Sequence, residues 1–264
     1  MRQITLRPIR SAESIGRSVM LAGAVLRHTT VNAFRLRLPI GDAAVQAWRL
    51  LKVTAIPALL MAIPFGAMVS VQVSGLVNQV GASSLVGAAS GVGVIRQGAP
   101  ITAGLLMGGA AASAIASDLG ARAIREELDA LRVIGIDPVR YLVVPRFVGL
   151  IFIAPILCSI IVASAVAASF TFALLVSDVP SGSFWMSFGS FAAVSDIWFA
   201  VAKTVVFAMI VAVVSCLRGM EAKGGPRGVA DAVNSSVVLN VVCIVIVNLA
   251  ITQLQTMFVP TEVS

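Results

Sequence analysis

Few side chains in this 264-residue sequence are suited to catalysis. The sequence has a single histidine, His28, which argues against a histidine-based triad and against a histidine-rich metal site. Its three cysteines lie far apart in apolar runs and form no CxxC pair; they are Cys158, Cys216 and Cys243. We expect small buried hydrophobic side chains there, with no disulfide framework and no metal site. The chain is therefore not expected to hold a catalytic site.

Two basic residues, Arg96 and Lys203, stand inside long apolar segments. An ionisable side chain in a membrane span costs about 2.5–3.5 kcal/mol on insertion scales, which makes it a candidate for function. Lys203 lies near one end of its segment and could instead extend to the membrane surface, whereas Arg96 lies deeper. Together the two cations could bind an anionic group, a carboxylate or a phosphate.

The stretch EELDALRVIGIDPVRYLVVPR, residues 126–146, concentrates charges of both signs between two long uncharged segments. Its first half has helical periodicity, Gly135 is typical of a helix end, and Asp137-Pro138 is typical of a helix start. Four apolar residues would share one face of this short helix: Ile124, Leu128, Leu131 and Ile134. Four charged residues would point away from that face: Arg125, Glu126, Asp129 and Arg132.

This short helix could rest on the membrane surface with its charges in water, or it could dock onto a cytosolic protein. Surface anchors usually carry Lys and Arg on the polar face, and acids beside anionic lipid are unfavourable. Because the charges here have both signs, the pattern favours a specific protein partner.

The elements that position these residues are predicted to be membrane-spanning helices. The chain is 58% hydrophobic and 12% charged, with a mean hydropathy of +0.99, which is not a soluble globular composition. Uncharged runs long enough to cross a bilayer cover 53–95, 97–117, 147–177 and 232–261, and 197–217 contains one lysine. The formal net charge of +7 thus belongs to a membrane protein, and nucleic acid is not an expected partner.

The positions of Lys and Arg predict the topology, because these residues collect on the cytoplasmic side. Seventeen of the 19 lie in 1–52, 118–146 and 218–231. The segments 78–83, 177–196 and 259–264 hold no basic residue and three acids, Asp178, Asp196 and Glu262. The two groups must alternate across the membrane. We therefore predict five spans, with the N-terminus cytoplasmic and the C-terminus outside: 53–77, 84–117, 147–176, 197–217 and 232–258. No acid is expected within a span.

The second predicted span is longer than the roughly 20 residues that a bilayer requires. It contains Arg96, Gly98 and Pro100, and proline removes a helical hydrogen bond. We expect a bent or broken helix here, with irregular backbone buried in protein. The runs GAASG (87–91) and GLLMG (104–108) are GxxxG patterns, which we interpret as helix-packing sites.

Residues 1–52 are the predicted cytoplasmic and interfacial segment, and residues 53–264 the transmembrane domain. Apolar residues recur at helical spacing between residues 10 and 38, with arginines elsewhere; they are Ile15, Val19, Ala22, Val25 and Leu26. This pattern predicts an amphipathic helix in the cytoplasmic interface, with a disordered basic arm as the alternative. The predicted fold is an all-α polytopic membrane protein, with five transmembrane helices after this interfacial helix.

The sequence GLLMGGAAASAIASDLGARAIREELDALRVIGIDPVRYLVVPR, residues 104–146, resembles the MlaE or YrbE permeases, the membrane subunits of ABC transporters that work with MCE proteins. The stretch GMEAKGGPRGVADAVNSSVV, residues 219–238, is similar to the family's Gly-rich stretch before the last span. VIRQGAP (94–100) and SDLG (117–120) resemble the actinobacterial YrbE-like branch, in which two permease paralogues pair.

The resemblance implies that the short charged helix is a coupling helix that contacts a cytosolic ABC ATPase, through Glu126, Glu127, Asp129, Leu131 and Arg132. This chain has no G-x-x-x-x-G-K-[ST] sequence, so ATP would be used by the partner ATPase, and no cofactor is expected in the chain itself. Further implied partners are a second permease subunit, either a paralogue or a second copy, and MCE-domain proteins on the outer side of a bacterial cell (inner) membrane.

The resemblance also implies a lipid substrate, imported toward the cytoplasmic membrane, that is a fatty acid, a mycolic-type acid, a phospholipid or a sterol. Five residues are its candidate contacts: Arg96, Lys203, Leu76, Val77 and Val80. An ion-coupled secondary transporter is an alternative, but it would call for paired intramembrane acids or an inverted repeat, and neither is evident. A non-transporting membrane scaffold also stays open on composition.

Overall fold

The computed structural model describes residues 40–258 apart from 80, 82–84, 178 and 193, together with residues 16, 20, 23 and 27. The predicted interfacial helix between residues 10 and 38 lies outside the described residues, apart from those four, and so does the C-terminal segment 259–264.

Seven helices make up nearly all of the described chain, with no strand among the described residues: α1 Ile40–Gln79, α2 Val86–Ile124, α3 Glu127–Val133, α4 Val139–Val176, α5 Ser181–Phe191, α6 Val194–Met220 and α7 Pro226–Phe258. Five of them, α1, α2, α4, α6 and α7, are long and apolar enough to cross a membrane. The predicted all-α fold with five spanning helices is confirmed.

Helix α1 begins at Ile40, well before the apolar block that starts near Val53. Its early turns pack as a helix because small residues face α4: a Cβ atom added at Gly149 would lie 3.2 Å from the carbonyl oxygen of Ala43. The basic residues Arg49 and Lys52 are exposed. The proposed division between residues 52 and 53 therefore falls inside one continuous helix.

Helix α2 runs unbroken from Val86 to Ile124, which excludes the broken helix, one of the two predicted alternatives. Two π-helical stretches, Gly93–Gly98 and Met107–Ala111, interrupt its α-helical winding instead. π-Helical insertions of this kind often mark functional sites within helices. Pro100 follows the first stretch, and because proline has no N–H it cannot donate the α-helical hydrogen bond to the carbonyl of residue 96.

Glycines bring the spanning helices together, as the GxxxG runs predicted. A Cβ atom at Gly104 would lie 2.8 Å from Cδ2 of Phe207 on α6, and one at Gly108 would lie 2.9 Å from Cδ1 of Ile244 on α7. Between α1 and α4, a Cβ atom at Gly66 would lie 2.1 Å from the carbonyl oxygen of Ala165. Two backbones approach closely at Gly66, whereas Gly104 and Gly108 leave room for the Phe207 and Ile244 side chains of neighbouring helices.

Helix α5 was not predicted, because its segment was assigned to an outer connection without internal structure. Its aromatic residues pack on one another and on α4: the ring centroids of Phe184 and Phe170 are 5.2 Å apart, and those of Trp185 and Phe188 are 5.6 Å apart. The start of α2 rests on this helix, since a Cβ atom at Gly87 would lie 2.1 Å from the carbonyl oxygen of Phe184.

Candidate functional site

Arg96 lies in the first π-helical stretch of α2 and faces an acidic residue that the sequence analysis misplaced. Its Nε atom is 2.8 Å from Oδ1 of Asp196, an ion pair whose geometry does not make a hydrogen bond. The Asp196 side chain is 1% exposed and belongs to the first turn of α6. The expectation that no acid lies within a span is therefore wrong.

The misplacement has a simple physical origin. Helix α6 begins at Val194, three residues before the apolar run that defined the predicted span. Asp196 consequently lies two helical turns before Lys203 and on the same face, a spacing of seven residues. This seven-residue spacing could have shown that Asp196 and Lys203 share one face of the same helix. Because residues 177–196 contain no Lys or Arg, the segment was instead assigned to an outer connection.

Lys203 is buried and does not extend to the membrane surface. Its side chain is 1% exposed, and its Nζ atom donates hydrogen bonds to the carbonyl oxygen of Arg96 at 3.1 Å and to Oγ1 of Thr252 at 3.2 Å. The first acceptor is the carbonyl that Pro100 leaves without its usual α-helical donor. The structure thus brings Arg96 and Lys203 together, at a site created by the proline.

Polar residues of α7 complete this cluster, and the sequence analysis did not identify them. Gln97 donates from Nε2 to Oγ1 of Thr252 at 3.1 Å, and Nδ2 of Asn248 donates to Oε1 of Gln97 at 3.4 Å. Asn248 Oδ1 and, one turn beyond Thr252, Gln255 Nε2 are buried without a hydrogen-bond partner. Polar residues at helical spacing in an otherwise apolar helix were the signal that could have found them.

We call Arg96, Gln97, Asp196, Lys203 and Thr252 the polar cluster. It contains two cationic groups and one acidic group, so one positive charge is in excess. The Arg96 side chain is 19% exposed, whereas Asp196 and Lys203 are each 1% exposed. An incoming group can therefore reach the cluster through the guanidinium of Arg96, and a negative charge there is favoured.

The structure does not join the α1 candidates to the polar cluster. Leu76 is exposed on α1. Val77 packs against a hydrophobic cluster of Val86, Ala173, Val179 and Phe184, whereas Ile95, which precedes Arg96, belongs to the main core. Val80 lies outside the described residues.

Helix α3, the predicted coupling helix, is shorter than expected. It spans Glu127–Val133, and Glu126 precedes it in the left-handed region at φ 60°. Leu128 is buried and Leu131 packs on the core, but Ile134 is 67% exposed. The prediction that Ile134 shares the buried face is wrong, because the helix ends one residue earlier. The predicted stop is confirmed by Gly135, whose φ is +79°.

The start of the next helix is also confirmed. The carboxylate oxygen Oδ1 of Asp137 accepts a hydrogen bond from the backbone N–H of Val139 at 3.0 Å. This contact satisfies one of the N–H groups left free at a helix start. Asp137 and Gly135 together set the reversal between α3 and α4.

Charged residues of the coupling segment pair largely with one another. Glu127 accepts from Nε of Arg125 at 2.8 Å and from Nη1 of Arg122 at 3.4 Å. Asp129 accepts from Nη1 of Arg132 at 2.7 Å, and both of these side chains are well exposed. The exposed charges that a partner can reach are those of Glu126, Arg125 and the Asp129–Arg132 pair.

A groove of about 430 Å³ separates α3 from the turn between α6 and α7. Asp129 and Arg132 line one side, and Lys223 with Gly224 and Gly225 lines the other. The two glycines have φ values of +83° and +78°, which other residues rarely adopt. This turn is the Gly-rich stretch singled out in the sequence, and it lies next to α3.

Arg146 belongs to the charged segment 118–146, and its side chain is buried within the protein. It is 2% exposed, its Nη2 atom pairs with the carboxylate of Asp118 on α2, and its Nη1 atom donates to the carbonyl oxygen of Leu142. Asp118 also pairs with Arg122. A buried arginine with two fixed acceptors ties α4 to the end of α2.

A family model described as Permease MlaE matches residues 43–254, which include both the polar cluster and α3. The chain belongs to the MlaE permease family. A probable ABC transporter permease protein of Synechocystis sp. is 28% identical over 191 residues, covering 72% of this chain and 73% of the relative. One of Rickettsia felis is 26% identical over 248 residues, 94% of each chain, and one of Pyropia yezoensis is 29% identical over 157 residues, 60% of each chain.

Membership in the MlaE permease family fixes the general role. The protein is a multi-pass membrane protein and the permease subunit of an ABC transporter. Such a permease works with an ATPase subunit. In this MlaE permease, α3 and the Gly-rich turn form one surface, and the polar cluster lies in the spanning helices α2, α6 and α7.

Proposed function

We propose that this permease moves a lipid with an anionic head group, which binds at Arg96. The observation that carries the proposal is the excess positive charge of the polar cluster, with Arg96 on its open side. In a low-dielectric site an excess charge is costly, and a carboxylate or phosphate would relieve that cost. A fatty acid, a mycolic-type acid or a phospholipid meets this requirement better than a neutral sterol.

The proposed surroundings follow from the resemblance of residues 104–146 and 219–238 to MCE-associated permeases. The chain would lie in a bacterial cell membrane with its N-terminus cytoplasmic and its C-terminus outside. MCE-domain proteins on the outer side would deliver lipid for import, and the partner ATPase would bind ATP as the only cofactor. VIRQGAP and SDLG support the YrbE-like branch, in which the second permease subunit is a paralogue.

Helix α3 is the proposed ATPase contact. Val133 and Ile134 are 87% and 67% exposed, and they extend from the end of α3 beside the exposed Asp129–Arg132 pair. Exposed apolar residues next to charges of both signs suit a specific protein surface. Leu131, a predicted contact, packs on the core instead and would support α3 from behind.

Lipid retention tests the substrate proposal. We would purify the permease with its ATPase in detergent and identify bound lipids by native mass spectrometry, for the wild type, Arg96→Gln and Lys203→Met. Arg49→Gln, which removes an exposed arginine of α1, is the matched control. We expect anionic lipid on the wild type and the control, and a clear loss with Arg96→Gln. Equal anionic lipid on Arg96→Gln, or only neutral lipid on the wild type, would refute the proposal.

A further inference from the structure

A chain of ion pairs connects the core of the bundle to helix α3. It begins at the buried Arg146 on α4, which pairs with Asp118 on α2. Arg122, one turn later on α2, has Nε 3.4 Å from Oδ1 of Asp118 and Nη1 3.4 Å from Oε2 of Glu127. Nε of Arg125 lies 2.8 Å from Oε1 of Glu127. Charges thus alternate without interruption from α4 to the first turn of α3.

The backbone at this junction needs such support. Only two residues separate Ile124, the end of α2, from Glu127, the start of α3. Glu126 has a φ of 60°, and a non-glycine residue in this region carries a cost of about 1–2 kcal/mol. A strained residue persists where its surroundings hold it in place. The ion pairs of Glu127, its neighbour in the chain, are in a position to do so.

The end of α2, which carries the middle of the ion-pair chain, packs closely on two other helices. A Cβ atom at Gly120, two residues after Asp118, would lie 3.1 Å from Cγ1 of Val229 on α7, and one at Gly219 would lie 2.8 Å from Cβ of Leu119. The end of α2 is therefore in close contact with both α6 and α7. Movement of α4 relative to this group of helices would be passed to α3 through Arg146 and Asp118.

We propose that Arg146 is a positioning residue that sets the angle of α3 and so couples ATP hydrolysis to lipid transport. The inference rests on the proposed role of α3 as the ATPase contact. Arg146 suits this role better than a role in stability, because its partner Asp118 is 45% exposed, and an ion pair that is open to water on one side adds little stability. Its two acceptors, Asp118 and the Leu142 carbonyl, instead fix the geometry between two spanning helices.

The test measures the position of α3 directly. Spin labels at Ala130 on α3 and Asn234 on α7, both exposed, report their distance by pulsed electron paramagnetic resonance in the permease–ATPase complex. The three native cysteines are replaced by alanine in this background. The variants are Arg146→Met and Asp118→Asn, with Arg140→Met, which removes an exposed arginine of α4, as the matched control.

We expect a narrow distance distribution for the wild type and the control, and a broad or shifted one for both Arg146→Met and Asp118→Asn. Lipid transported per ATP hydrolysed should fall about tenfold in these two variants, because a coupling free energy between two sites is typically of that order and would be lost with the fixed angle of α3. The ATPase should still co-purify. An unchanged distance distribution in Arg146→Met would overturn the proposal, whatever happens to transport.

A double variant, Arg146→Met with Asp118→Asn, covers the case in which a single variant does not fold. It leaves neither charge of the pair behind, so it should fold and should still show the broad distribution. A narrow distribution in the double variant would also overturn the proposal. If the wild-type permease fails to bind the ATPase through α3, the proposed function of α3 is at fault, and the label distances still decide whether Arg146 sets its angle.

Discussion

Asp196→Asn should strengthen the retention of anionic lipid while it slows transport. The substitution keeps the shape of the side chain and removes the acid that lies 2.8 Å from Arg96. The excess charge of the polar cluster then rises from one positive charge to two. A head group bound on the open side of Arg96 no longer meets the repulsion of the Asp196 carboxylate.

The size of the effect follows from Coulomb's law. A head group beyond the guanidinium would lie about 8 Å from the Asp196 carboxylate, and at an effective dielectric constant of about 20 their repulsion is about 2 kcal/mol. Removing it should strengthen binding by about thirtyfold. The same substitution leaves Arg96 without its buried partner, which costs up to about 3–5 kcal/mol of stability, less the relief that the partly exposed arginine gains from water.

The assay compares lipid retained through purification, by native mass spectrometry, with ATP-driven transport in reconstituted vesicles. Asp231→Asn, which removes an exposed acid of α7, makes the same change in net charge away from the polar cluster. We expect Asp196→Asn to hold more anionic lipid and to release it slowly, and Asp231→Asn to match the wild type. Unchanged or reduced anionic lipid on a folded Asp196→Asn variant would refute the electrostatic reasoning.

Three further predictions address packing, the partner surface and topology. Gly66→Ala should lower the free energy of unfolding by about 1–3 kcal/mol, because its Cβ would overlap the Ala165 carbonyl. Gly75→Ala, whose Cβ would lie in open space, is the control and should leave stability unchanged. Thermal denaturation in detergent compares the two variants, and equal melting temperatures would contradict the tight contact. Val133→Asp should weaken co-purification of the ATPase without lowering permease stability, and unchanged binding would exclude this residue from the interface. A cysteine at Ser264, in a background without native cysteines, should react with an impermeant thiol reagent in intact cells, because the C-terminus is predicted to lie outside. Labelling only after membrane disruption would place the C-terminus in the cytoplasm and contradict the predicted topology.

The sequence predicts the architecture well, since span length and charge placement depend on transfer free energies that act residue by residue. The same reasoning fails where a charged residue on one helix is neutralised by an opposite charge on another helix. Asp196 was assigned to an outer connection because residues 177–196 contain no Lys or Arg, and Arg96, the residue that pairs with it, lies 100 residues earlier in the chain. Arg146 was counted among the basic residues of the cytoplasmic segment 118–146, and that count does not predict its burial beside Asp118.

The backbone conformation within α2 and the last residue of α3 could not be predicted from the sequence. Pro100 correctly indicated an irregularity in α2. The hydrogen bond that proline cannot donate is compatible with π-helical winding or with a break in the helix, and tertiary packing selects between them. The end of α3 could be predicted only approximately. Gly135 indicated that the helix stops nearby, but the last helical residue, Val133, depends on how Leu128 and Leu131 pack on the core. Helix ends are set by such contacts as much as by local residue preference.

ATP-driven transport by the permease reconstituted with its ATPase tests the central claim most directly. Donor and acceptor vesicles would carry an isotope-labelled anionic lipid together with a neutral lipid of the same acyl chains, and the rates would be compared for the wild type and Arg96→Gln. The excess positive charge around Arg96 predicts that the wild type moves the anionic lipid faster and that Arg96→Gln loses this preference. Equal rates for the two lipids with the wild type would contradict the account.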